Sequence, residues 1–157
     1  MATHDGTPDG YTTLTPFLVC SPAAQAIDFY TSVFGATVVS RMEGPDGTVL
    51  HAELDFGNGR LQLGDPSQQY GLVAPDPAPD RTSASTCIYV PDVDAVFDRA
   101  VEQGAVVREP PSTFVTGDRF ASVLDPYGHR WAVMTRIEDV SPDEATRRLA
   151  EWAGQQS

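Results

Sequence analysis

The spacing of apolar residues runs through the same succession of periods twice. Tyr11 to Cys20 is rich in Thr and aromatic residues and reads as a strand, with Pro16 suited to an edge. Ala23, Ala26, Ile27, Tyr30 and Phe34 then recur at helical spacing. Ser21 is the expected N-cap, Pro22 the first helical residue and Gly35 the stop. Thr37 to Met42 is a strand, and Val49–Phe56 with Arg60–Leu63 forms a hairpin around Gly57-Asn58-Gly59. Residues 11–65 are thus one β-α-β-β-β module. The Pro-, Ser- and Asp-rich stretch that follows holds a linker over 66–81. The second module, 82–135, repeats the order. Thr86–Val90 is a strand, Val93, Val96, Phe97, Ala100 and Val101 form a helix face ending at Gly104, and Ala105–Arg108 is a strand. A proline-containing loop, Glu109–Thr116, leads to a hairpin across Asp118–Met134 turned by DPYGH. Ser141 with Glu144 opens a last helix running to about Trp152, within a C-terminal segment 136–157. Residues 1–10 are polar and expected to be disordered.

The two modules also echo each other in letters. An offset of 70 superposes Leu54 on Leu124, Asp55 on Asp125 and Arg60 on Arg130, and an offset of 69 carries Gly35–Val39 onto the stretch from Gly104 to Val107. One long period found twice is an internal duplication rather than a solenoid array. The expected fold class is therefore α+β, with tandem βαβββ modules and a C-terminal helix.

Charge and composition narrow the role. The chain has 157 residues, a 41% hydrophobic fraction and a formal net charge of −12, so it can bury a core but repels phosphate backbones and anionic lipid. Nucleic acid and membrane are excluded as partners, and no apolar run is long enough to span a bilayer. The start of the chain lacks a basic segment followed by an apolar one, so a cytoplasmic location is the expectation. Cys20 and Cys87 sit in apolar strand contexts and are expected as reduced, buried thiols. No hydrolase nucleophile motif and no phosphate-cradling glycine loop is present.

The tandem modules, with AIDFYTSVFGA in the first and VDAVFDRAVEQGA and GDRFASVLDPYGHRW in the second, resemble the vicinal oxygen chelate superfamily. The likeness is strongest to its glyoxalase/bleomycin-resistance (PhnB-like) branch. The resemblance implies a cup-shaped mixed sheet around a small-molecule ligand, and a homodimer. It also implies four metal-ligand positions, which fall on Thr15, Gln62, Ser85 (Thr86 if the register slips) and Ala132. Gln62 alone carries a group able to hold a metal there, and weakly, so no metal and no other cofactor is expected.

Strand parity with those positions gives the expected ligand-binding set: Thr15, Phe17, Arg60, Gln62, Ser85, Cys87, Tyr89, Phe120, Ser122, Arg130, Ala132 and Met134, with Val19 and Leu124 in the same rows. His51, Glu53 and Asp55 share the other strand parity. The 70-residue offset matches His51 to Ala121 and Glu53 to Val123, outside the expected lining, which reads as a solvated stripe unless a bulge reverses it. His129 reads as a turn residue, and Arg60 and Arg130 as ion-pair partners of Asp55 and Asp125. The first functional expectation is metal-free binding of a small aromatic or cationic molecule, antibiotics included. The alternative is a lyase, isomerase or dioxygenase whose divalent metal has moved to His51 and Glu53, assisted by Gln62, or an isomerase with Glu53 as base. A filled barrel with an interaction role is the third.

Overall fold

A computed structural model of the chain describes residues 6–78 and 81–156. In chain order the elements are β1 (Phe17–Val19), α1 (Ala23–Phe34), β2 (Thr37–Glu43), β3 (Val49–Asp55) and β4 (Arg60–Gly64). They continue as β5 (Ser85–Tyr89), α2 (Val93–Glu102), β6 (Val106–Thr113), β7 (Asp118–Leu124), β8 (Arg130–Arg136) and α3 (Pro142–Gln155). The chain divides into two compact units. The first holds the residues up to 78 with Pro126–Gly128, and the second holds residues 81–125 and 129–156. Positions 1–5 of the expected disordered start, 79 and 80 of the expected linker, and 157 lie outside the described residues.

Each unit has a four-stranded mixed sheet, in the order β1-β4-β3-β2 and β5-β8-β7-β6. The first strand of each runs parallel to the last, and the other pairings are antiparallel. In the first unit α1 packs on β2 and β3, burying Ala26, Ile27, Tyr30 and Val33 together with Ala52, Leu54, Leu61 and Leu63 from the strands. In the second, α2 packs on β6, β7 and β8, burying Val93, Val96 and Ala100 with Ala121, Val123, Trp131 and Val133. Successive side chains of a strand point to opposite faces, so each sheet has one face committed to its helix and one left over.

Four local expectations are corrected. The first strand is short: Pro16 lacks an N–H, so the ladder begins at Phe17, although the Pro16 carbonyl still accepts from Gln62 N at 2.9 Å. Ser21 does not cap α1. Pro22 takes the N-cap position, and the exposed donors are met from far along the chain. Ala23 N donates to Asp65 Oδ1 and Val49 N to Asp65 Oδ2, both at 2.9 Å, so one carboxylate ties the start of α1 to the start of β3. β6 does not end at Arg108 but runs on through Pro110 and Pro111 with register shifts on both sides of Glu109. It is an edge strand, where a missing donor costs no ladder bond. Finally, Arg130 is not the partner of Asp125. That buried carboxylate accepts from Trp131 Nε1 and from His129 N, both at 2.9 Å.

The hairpin registers differ between the units, and this decides the faces. β3 and β4 pair up to Asp55 opposite Arg60, leaving residues 56–59 in the turn. β7 and β8 pair up to Leu124 opposite Arg130, leaving residues 125–129, one more. The offset of 70 therefore holds for β4 and β8, but β3 maps onto β7 at 69. His51 corresponds to Phe120 and Glu53 to Ser122.

Asp65→Ala should lower stability by about 1–3 kcal/mol, because two buried backbone donors lose their acceptor at once. Urea unfolding of the variant against the parent measures it.

Candidate functional site

In the second unit the face turned away from α2 collects Ser85, Cys87, Tyr89, Phe120, Ser122, Leu124, Arg130, Ala132 and Met134, as the registers Ser85↔Arg130, Cys87↔Ala132, Tyr89↔Met134, Phe120↔Met134 and Ser122↔Ala132 require. An open pocket of about 400 Å³ lies here, lined by Thr82, Ser83, Ala84, Ser85, Glu109, Phe120, Arg130 and Ala132. Its charged lining residues, Glu109 and Arg130, are tied together through the buried Ser122 behind them. Ser122 Oγ donates to Glu109 Oε2, Arg130 Nη2 donates to the same oxygen at 2.6 Å, and Arg130 Nη2 also lies 3.2 Å from Ser122 Oγ. The side chains of Arg130 and Glu109 are 36% and 49% exposed, so the pair adds little to folding and stays within reach of a solute. Phe120 and Ala132 supply apolar wall, and Thr82, Ser83 and Ser85 supply hydroxyls. Such a surface holds a small organic molecule by stacking and burial and orients it with a few hydrogen bonds.

Sequence reasoning named four of these lining residues and missed Thr82, Ser83, Ala84 and Glu109. Glu109 was lost because two prolines made its strand look like a loop. Its signal is weak: a single carboxylate in VVREPPST, significant only once β6 is set opposite Ser122. Cys87, Tyr89, Ser122 and Met134 share the face without lining the pocket. Cys87 is exposed rather than buried, because its strand presents Cys87 on the uncovered side, whereas Cys20 is buried.

The first unit's corresponding face carries Phe17, Glu53, Asp55, Arg60 and Gln62, from the registers Phe17↔Gln62, Glu53↔Gln62 and Asp55↔Arg60. Thr15 lies outside any strand, and its hydroxyl donates to Thr12 O at 3.3 Å. The expected solvated stripe of His51 and Glu53 is corrected: both share the face of Phe17, Arg60 and Gln62, because the shorter first hairpin shifts β3 by one residue against β7. His51 Nε2 lies 3.4 Å from Glu53 Oε1, and the His51 and Phe17 rings are 5.9 Å apart. Arg60 Nη1 lies 3.8 Å from Glu53 Oε2, and the Arg60 guanidinium sits 4.5 Å from the centre of the Tyr11 ring. The Tyr11 hydroxyl donates to Glu53 and, with His51 and Arg60, holds that carboxyl below its ordinary pKa against the opposing effect of burial. A carboxylate so held is a weaker base than a free one.

A family model described as the Glyoxalase/Bleomycin resistance protein/Dioxygenase superfamily matches residues 10–133. The chain belongs to this superfamily. An uncharacterized protein of Mycobacterium bovis is 37% identical over 133 residues, which is 83% of this chain and 88% of the relative. Among solved structures, TioX from Micromonospora sp. ML1 matches with a TM-score of 0.63 and 27% identity, over 80% of this chain and 98% of that one. A superfamily member from Nocardioides matches with a TM-score of 0.60 and 21% identity, over 87% and 91%. The two mixed sheets and their helices are the α+β fold of the glyoxalase/bleomycin-resistance proteins. No helix among the described residues is long and apolar enough to cross a membrane.

The superfamily's metal positions, laid on this chain by resemblance, do not suit a divalent ion. Ala132 has no donor atom, Thr15 and Ser85 offer neutral hydroxyls, and Gln62 offers one amide oxygen. Borderline and hard divalent ions need several imidazole or carboxylate ligands. Nor do three His, Cys, Asp or Glu side chains converge anywhere among the described residues. Beside His51 and Glu53 the next side chain is the Arg60 guanidinium, a cation where a metal would need a donor.

The Tyr11–Glu53 bond should be visible in the pH dependence of stability. A carboxyl with a folded pKa below its unfolded one stabilises at pH values above the unfolded pKa. That contribution is lost as the pH falls through the folded pKa. Tyr11→Phe removes the largest cause of the lowering. The parent should therefore be more stable than Tyr11→Phe at neutral pH, and the gap should close on acidification past that point. Urea titrations of both proteins at a series of pH values read it.

Proposed function

We propose that this glyoxalase/bleomycin-resistance superfamily member captures a small aromatic or cationic molecule, of the kind antibiotics offer, without a metal. The open pocket of the second unit carries the reading. It combines the apolar Phe120 and Ala132, the hydroxyls of Thr82, Ser83 and Ser85, and the Glu109–Arg130 pair around about 400 Å³. Phe120 takes an aromatic ring of the ligand. Glu109, half-exposed, accepts from a ligand cation or N–H, and Arg130 turns to the ligand's carbonyl or carboxylate oxygen. The acidic surface, net −12, raises the local concentration of cations. The free thiol of Cys87 supports a reducing, cytoplasmic setting.

Calorimetric titration with a panel of glycopeptide antibiotics and aromatic cations, with and without EDTA, tests this. Binding unaffected by EDTA and weakened about tenfold in both Phe120→Ala and Glu109→Gln is the expected result, a loss of about 1.4 kcal/mol each. Binding that disappears with EDTA, or that ignores both substitutions, overturns it.

The same reading includes a homodimer. The edge strands β2 and β6 leave Val38, Val39, Met42, Val106 and Val107 exposed, and a second copy is the partner that covers such edges. Sedimentation velocity should show a two-chain species, and Val39→Lys with Val107→Lys should convert it to one chain.

A further inference from the structure

We propose that the first unit's free sheet face is a second binding site, specific for phenols, which the chain keeps filled with its own Tyr11. The occupant shows what the site recognises. The Tyr11 ring lies on the Arg60 guanidinium, 4.5 Å from its central carbon, and the Tyr11 hydroxyl donates to Glu53. His51 Nε2 lies 3.4 Å from Oε1 of that carboxylate, and the Phe17 ring flanks His51. A guanidinium to stack on, a carboxylate to accept the hydroxyl proton and an aromatic neighbour together recognise a para-substituted phenol.

The strap carrying Tyr11 is fitted to the site but is not part of the sheet. β1 begins only at Phe17, so residues 10–15 precede the strand ladder, which Pro16 meets through its carbonyl alone. At Gly10, φ is +80°, and a Cβ there would lie 2.6 Å from Arg60 Nη2. The strap leaves one demand unmet. Arg60 Nε is buried and makes no hydrogen bond, with Asp55 Oδ2 at 4.0 Å. A buried donor without a protein partner is uncommon, and here it lies on the face that Tyr11 covers. In the second unit the positions 70 residues on from the strap include Thr82, Ser83 and Ala84, which line the open pocket beside Arg130. The two units thus carry equivalent arginines, one covered by a phenol side chain and one open.

The occupant competes with any free phenol, so removing it should expose the site. The probe is p-cresol, with toluene as the control lacking the hydroxyl, in NMR titrations of the full chain that follow the His51 ring. Tyr11→Ala should bind p-cresol at least tenfold more tightly than the parent, with no such gain for toluene. Adding Glu53→Gln to Tyr11→Ala should remove the gain. Tyr11→Phe keeps a ring over Arg60 and so preserves the packing, but lets an incoming hydroxyl regain Glu53. It should bind p-cresol severalfold more tightly than the parent. Equal p-cresol affinity in the parent and Tyr11→Phe, a gain in Tyr11→Ala shared by toluene, or a gain that survives Glu53→Gln overturns the proposal. None of these readings passes through the second unit's pocket, so the two sites stand or fall separately.

Discussion

A strand that buries every second side chain has no choice about where the others go. β8 buries Trp131 and Val133 at 1% and 0% exposure, and the Trp131 indole is held by the buried Asp125 carboxylate. Arg130 and Ala132 are thereby committed to the opposite face. β4 does the same with Leu61 and Leu63, which commits Arg60 and Gln62. Slipping either strand by one residue would put an arginine into the helix-covered core and a leucine or tryptophan into water. That costs several kcal/mol per strand on the burial scale for large apolar side chains, before the arginine is counted. The uncovered faces are the remainder of a packing problem solved on the other side.

Given those two anchored strands, small local differences decide what each face can do. The second hairpin turn holds one residue more than the first. That residue sets Ser122 where the first unit has Glu53, and Phe120 where it has His51. The charged neighbours differ accordingly. In the first unit the carboxylate comes from the central hairpin itself, with Tyr11 and His51 as its partners. In the second it comes from the edge strand as Glu109, reaching over to Ser122 and Arg130. A duplicated scaffold thus carries two arginines at equivalent points, with unlike surroundings. One fold thus presents two chemically different faces without a change of topology.

The emptied metal positions fit the same account. Binding a divalent ion requires several anionic or imidazole donors aimed at one point. Here those points carry a methyl group, two hydroxyls and an amide. Beside them lie two arginine–carboxylate pairs, Arg60 with Glu53 and Arg130 with Glu109, and the aromatic rings of Phe17 and Phe120.

Much of this was legible in the chain itself. The helical spacing of Ala23, Ala26, Ile27 and Tyr30, the duplicated turn chemistry and the alternation in RLQL and RWAV determine two βαβββ units and place Arg60, Gln62, Arg130 and Ala132 on uncovered faces. These are local signals, because burial periodicity is written along a single strand or helix. The position of His51 and Glu53 was not legible, since it hangs on a one-residue difference between turns that the echo of letters conceals. Glu109 and Asp65 were missed for a related reason: one sits on a proline-bearing edge and the other past the last strand of its module, and each acquires its partners only across strands. Contacts between residues distant in sequence depend on register, and register is settled by the whole sheet packing against its helix rather than by any stretch of the chain alone.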